Sequence, residues 1–228
     1  MHPITPSLLE PISPPSAFGI VEPGIYRSNA FNADHFSFIG RIPLKSILYL
    51  SSELTRLKEF VDQTSIKFCH QGLKAWRPEL TWKPVSDELV KDSLEFILNV
   101  ENHPVMIMCS SGIHETGILV GCLRRLQFWN MASIIEEHRR YAGAKSRFVN
   151  EQYIEFFDID LVTLPLTLPS WFINQIQFFQ NLNNHKEGKS KNNTAINRYS
   201  LRPATYGPLI STNACYDPSK SIVIDDAE

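Results

Sequence analysis

Cys109-Ser110-Ser111-Gly112-Ile113-His114-Glu115-Thr116-Gly117 gathers a thiol, three hydroxyls, an imidazole and a carboxylate into one short stretch. A thiol does nucleophilic work as its anion, and a helix N-terminus stabilises that anion through its dipole and free N–H groups. The same N–H groups hold a phosphate or another anion. The flanks supply this arrangement. Val105 to Met108 is an apolar run that reads as a buried strand, and from Thr116 onward Ile118, Leu119, Val120, Cys122, Leu123 and Leu126 read as a helix apolar nearly all round. Strand, tight loop and helix put Cys109 at a nucleophile position. Ser110, Ser111, Gly112, Ile113, His114 and Thr116 form the anion-binding loop around it. The competing reading of Cys109 is a small buried residue with no chemistry.

The rest of the chain must hold that loop. With 228 residues, 43% of them hydrophobic, there is enough for one domain of about 150–170 residues with extensions. Residues 1–17 are proline-rich and read as a flexible N-terminal segment. Phe18 to Val21 and Ile25 to Arg27 read as strands around the turn Glu22-Pro23-Gly24. Asn32 is placed to cap a short helix through Ile39. Lys45 to Leu50 and Ile66 to His70 read as strands, with helical spacing between them from Glu53 to Gln63. Ser86 should cap a helix with Leu89, Val90, Leu94 and Ile97 on its buried face, and helices are expected near 116–129, 132–142 and 150–160. Residues 169–179 form an amphipathic turn or helix, and 181–228 read as a disordered tail. Strands alternating with helices give an α/β fold, a sheet with helices on both faces.

Composition narrows the function. A net charge of −2 leaves no footprint for nucleic acid. No apolar run long enough to span a membrane is present, and Met1 to Pro6 does not open like a signal peptide. Cys69, Cys109, Cys122 and Cys215 lack the paired short spacing of a disulfide framework or zinc site, so cytoplasm or nucleus is expected, with no metal and no cofactor.

The loop resembles the Cys-x5-Arg-Ser/Thr signature of the cysteine-dependent protein tyrosine phosphatases. With Asn102-His103-Pro104-Val105 before it, and Gly121 to Gln127 and Trp129 after it, the chain resembles the plant and fungal atypical dual-specificity phosphatases, which include the fungal oxidant-induced cell-cycle arrest proteins. The resemblance runs from about Phe18 to Leu168 and implies a cysteine-phosphatase-like domain over 18–180. It implies phosphotyrosine or inositol pyrophosphates as substrates, a phosphocysteine at Cys109, and a general acid on the loop between Gln71 and Pro84. Family members open their domain with a Tyr-Arg-Ser element, here Tyr26-Arg27-Ser28.

The sixth residue after the cysteine should be arginine, and here it is Glu115. In the family that arginine forks onto two phosphate oxygens. The usual histidine before the cysteine is Met108. Like charges about 5 Å apart cost on the order of 3 kcal/mol at an effective dielectric near 20. Each lost charge-assisted hydrogen bond removes a further ~1.5–3 kcal/mol. An impaired phosphatase that acts by binding is therefore expected, with Glu115 filling the anion site from within by accepting its own loop N–H groups. Its ligand would be a phosphoprotein or an inositol phosphate, and it could form a hetero-complex with related family members.

The alternative is a working enzyme in which Arg147 or Lys83 stands in for the arginine; Lys74, Arg77 and Lys145 complete the basic set. Glu79, Asp87 and Glu88 are the candidate general acids, although Asp87 and Glu88 also suit the first turn of a helix. Trp76 and Trp82 read as packing or partner contacts, and His114 as a residue that orders the loop. A thiol switch pairing Cys109 with Cys69 or Cys122 is a third reading.

Overall fold

The computed structural model describes residues 13–52, 57–72, 82–187 and 215–216. The central strand is β5 (Val105–Cys109), and all five of its residues are buried. Its side chains alternate, as a pleated strand requires. Val105, Ile107 and Cys109 enter one apolar cluster, while Met106 and Met108 enter the other. A strand buried on both faces needs helices on both faces.

Around β5 the sheet runs in the order β1 (Gly19–Glu22), β2 (Ile25–Asn29), β5, β3 (Ser46–Tyr49), β4 (Lys67–His70), β6 (Cys215–Tyr216). β2, β5, β3 and β4 are parallel to one another, and β1 and β6 are antiparallel edges. One face carries α1 (Phe36–Ile39) and α2 (Leu57–Asp62), whose Ile39, Leu57, Phe60 and Val61 cover Met106 and Met108. The other carries α3 (Asp87–Leu98), α4 (His114–Leu126), α5 (Met131–Ala142), α6 (Phe148–Phe156) and the start of α7 (Ser170–Glu187). The fold is α/β, as expected. Among the described residues no helix is long and apolar enough to cross a membrane, and no cluster of His, Cys, Asp or Glu could hold a metal ion.

Local signals explain most element ends. Ser86 caps α3, its Oγ accepting the Leu89 N–H at 3.1 Å, and Asp87 and Glu88 occupy the first turn. Asn130 Oδ1 caps α5 in the same way through Ala132 N–H. Asn32 behaves differently. Its side chain bonds Asp34 and His35 rather than a helix N–H, and a single 3-10 turn, Ala33–His35, precedes the short α1. The expected helix near 150–160 ends at Phe156. Asp158 then turns the chain by accepting the Asp160 N–H.

The boundary expected at residue 181 also shifts. α7 continues to Glu187, anchored by Phe172 in the core and by Gln175 donating to the Gln127 carbonyl at 2.9 Å. Farther on, Cys215–Tyr216 adds β6 to the open edge of β4, where unpaired backbone groups invite a strand. The remainder of 181–228, and residues 1–12, lie outside the described residues.

Arg124 locks the far end of α4 to the sheet. Its guanidinium is nearly excluded from water, bonds the carboxylates of Glu22 and Glu137 and the Val21 carbonyl, and lies over the Trp129 ring. Removing it strands two partly buried carboxylates. Arg124→Met should cost about 2–3 kcal/mol and lower the melting temperature by roughly 5–10 °C, read by thermal denaturation. Ser86→Ala should cost about 1 kcal/mol by the same measurement. A wild-type melting temperature for Arg124→Met would show that this network adds nothing to stability.

Candidate active site

β5 ends at Cys109 and α4 begins at His114, so four residues make the turn. The tightest point is Gly112, at φ +69°, where a Cβ would stand 2.5 Å from the Asn29 backbone nitrogen. Only glycine fits. The loop is also tied to its neighbours. Ser110 N–H donates to Ser51 Oγ at 2.9 Å, Ala30 N–H to the Cys109 carbonyl at 2.9 Å, and Ile113 N–H to Ser111 Oγ at 3.2 Å. From behind, Arg27 Nη2 donates to the Gly112 carbonyl at 2.9 Å. With that carbonyl held, Gly112 N–H points at the cysteine, 3.1 Å from Sγ.

Cys109 thus has the position of a nucleophile, but its surroundings oppose the thiolate. Burial pushes its pKa up, and the Glu115 carboxylate pushes it further, while the Thr116 hydroxyl and N–H pull the other way without prevailing. Burial and the Glu115 carboxylate both favour the thiol over the thiolate. His114 adds no charge, because burial and nearby Arg147 lower its pKa; its Nδ1 sits 3.2 Å from Asn150 Nδ2. That contact makes it a residue that orders the loop.

The Glu115 carboxylate bonds the Cys109 thiol rather than the loop N–H groups. The loop N–H groups that bond within the protein go to Ser51 Oγ, Cys109 and Ser111 Oγ, and among the described residues none goes to Glu115. As the second residue of α4, Glu115 lines a cleft of about 400 Å³ with Trp82, Lys83, His114, Arg147 and Asn150, and its carboxylate is within hydrogen-bonding reach of the Cys109 thiol.

The structure thus brings Lys83 and Arg147 to the mouth of the loop with Glu115, while Lys145 does not line the cleft. Lys83 is paired with Asp87. Asp87 also accepts from the Tyr153 hydroxyl at 2.9 Å, which fits a structural first-turn residue better than a general acid, and Glu88 is exposed. Trp82 packs near Tyr153 and Phe156 beside the cleft. Lys74, Trp76, Arg77 and Glu79 lie outside the described residues. The thiol switch loses support on geometry. Cys69 is two strands from β5 and level with Ile107. That is about 10 Å across the sheet, too far for a disulfide with Cys109. Cys122 is wholly buried two turns along α4, with its thiol pKa raised by burial.

Sequence reasoning passed over Ser51, Asn150 and Arg27. Ser51 and Asn150 carry no signal in a single sequence. Arg27 does carry one, a charged residue within an apolar strand pattern that a solvated edge position would not explain.

A family model described as "Tyrosine phosphatase family" matches residues 12–177. The "Probable tyrosine-protein phosphatase DG1060" of Dictyostelium discoideum is 43% identical over 160 residues, 69% of this chain and 95% of the relative. The "Inositol diphosphatase DSP4" of Arabidopsis thaliana is 39% identical over 148 residues, 64% of this chain and 74% of the relative. The core catalytic domain of the PP-IP phosphatase SIW14 from S. cerevisiae, solved with citrate, superimposes with a TM-score of 0.58 at 36% identity, covering 65% of this chain and 89% of that one. The chain therefore belongs to the tyrosine phosphatase family, among the plant and fungal atypical dual-specificity phosphatases.

Proposed function

We propose that this family member is catalytically impaired and acts by binding a phosphorylated ligand at its signature loop. The observation that carries the reading is Glu115, which stands where the family's arginine belongs and helps to hold Cys109 protonated. A thiol is a poor nucleophile, and no loop side chain offers a fork of donors to two phosphate oxygens. The loop N–H groups and the helix N-terminus still suit an anion. The names of relatives point to inositol pyrophosphates, and the family itself to phosphotyrosine, as the ligand classes. An intact scaffold with this substitution would suit a binding role in a hetero-complex with active relatives. A reducing compartment, cytoplasm or nucleus, would keep Cys109 and Cys122 as thiols.

One arrangement favours the other reading. Arg147 opens onto the same cleft as Glu115, where it could meet a ligand phosphate in place of the missing arginine. Phosphate release from an aryl phosphate and from an inositol pyrophosphate separates the two. Wild type and Cys109→Ser should both stay at background, and Glu115→Arg should rise at least about a hundredfold above them. Release by wild type that disappears in Cys109→Ser would make the protein a working enzyme.

The raised thiol pKa gives a second expectation. Alkylation of Cys109 by iodoacetamide should be slow at neutral pH and reach half its limiting rate above the usual thiol range, because only the thiolate reacts. Replacing the carboxylate in Glu115→Gln should move that midpoint down by about one unit. A wild-type midpoint below about pH 8 would contradict the electrostatic account.

A further inference from the structure

Arg27 is one of the most deeply buried side chains in the protein, only 1% exposed, yet no carboxylate lies within ion-pairing distance of it among the described residues. It stands on β2 beside β5, level with Ile107, and reaches along the sheet to the back of the signature loop. One nitrogen donates to the Gly112 carbonyl, the guanidinium carbon lies 3.7 Å over the Tyr141 ring, and Nε and Nη1 have no hydrogen-bond partner. The guanidinium also borders the first turns of α4, since a Cβ at Gly117 would stand 3.9 Å from Nη2. A buried, unpaired guanidinium is costly, and proteins seldom keep one without a negative charge for it to face. A loop pin alone needs only a neutral donor.

We propose that Arg27 is the resident cation of the signature loop. It holds the Gly112 carbonyl turned out of the anion site and supplies from behind the positive charge that Glu115 withdraws from the front, so that the loop takes a compact tetrahedral oxyanion such as a phosphate monoester group. The ligand part of this inference rests on the binding role proposed above. Arg27 acts through Gly112 and through the field, so it is a positioning residue. The charges around Cys109 are consistent with this. Glu115 on α4 opposes the thiolate, whereas Arg27 on β2 and Cys109 favour each other's charged forms. Burial lowers the pKa of Arg27, and Arg124 on α4 acts the same way, while Tyr141 and Glu137 on α5 support its charge; burial also lowers the pKa of His138.

The test uses the full chain, with Cys109 alkylation followed across pH and with inorganic phosphate as the competing anion. Arg27→Gln keeps a hydrogen-bond donor and loses the charge, while Arg27→Lys keeps the charge. The Gln variant should raise the alkylation midpoint by about one pH unit and require about tenfold more phosphate for half-protection. The Lys variant should stay near wild type in both. Thermal melts report whether each variant folds. If Arg27→Gln does not fold, Glu115→Gln decides: with a resident cation in place, it should be protected by phosphate at about tenfold lower concentration than wild type. Equal midpoints for Arg27→Gln, Arg27→Lys and wild type would reduce Arg27 to a structural pin, and a Glu115→Gln protein that phosphate does not protect would also overturn its role. If phosphate protects Glu115→Gln but not wild type, the wild-type binding role fails while Arg27 keeps its place.

Discussion

Everything chemical in this protein depends on one backbone constraint, the reversal between β5 and α4 at Gly112. The left-handed glycine packs against Asn29 with no room for a side chain, and bonds from Ser110 to Ser51 and from Arg27 to Gly112 hold the turn from two sides. Because β5 is buried on both faces, the sheet cannot move without disturbing two apolar clusters. The thiol at the strand end is therefore placed by the core of the whole domain rather than by a mobile loop. Such rigidity is what an anion site requires, since its N–H groups must be oriented before the ligand arrives.

On that fixed geometry a single residue type decides the electrostatics. Arginine in the first turn of α4 would offer an oxyanion a planar fork, whereas the glutamate there lines the cleft with Arg147 and Lys83 and bonds the Cys109 thiol. Its carboxylate lies close enough to Cys109 to disfavour the thiolate, and burial acts in the same direction. The strand–loop–helix scaffold is present, while at the front of the loop a carboxylate stands where the family's arginine belongs. Arg27 remains as a buried positive charge behind the loop.

The order of elements around the loop was legible in the sequence because it follows from strong local patterns. The apolar run before Cys109, the all-round apolar helix after it and the Ser86 cap each have one sensible reading, and each appears in place. Failures occurred where a side chain had several possible partners. Asn32 bonds its neighbours instead of capping a helix, and Glu115 bonds the Cys109 thiol instead of its own loop N–H groups. Both outcomes depend on rotamer and tertiary setting, to which sequence spacing is blind. Arg27 was missed for a related reason. Its chemistry lies in contacts with residues 85 and 114 positions away, Gly112 and Tyr141, which no local window contains.

The central claim is that this loop holds a phosphorylated ligand without taking its phosphoryl group. The most direct test is intact-protein mass spectrometry after incubation with an aryl phosphate and an acid quench, with Glu115→Arg alongside. Wild type should keep its unmodified mass, and the Glu115→Arg protein should gain one phosphoryl group localised to Cys109. A phosphocysteine on wild type would show that the thiol attacks despite its surroundings, and the account of an impaired phosphatase would be wrong.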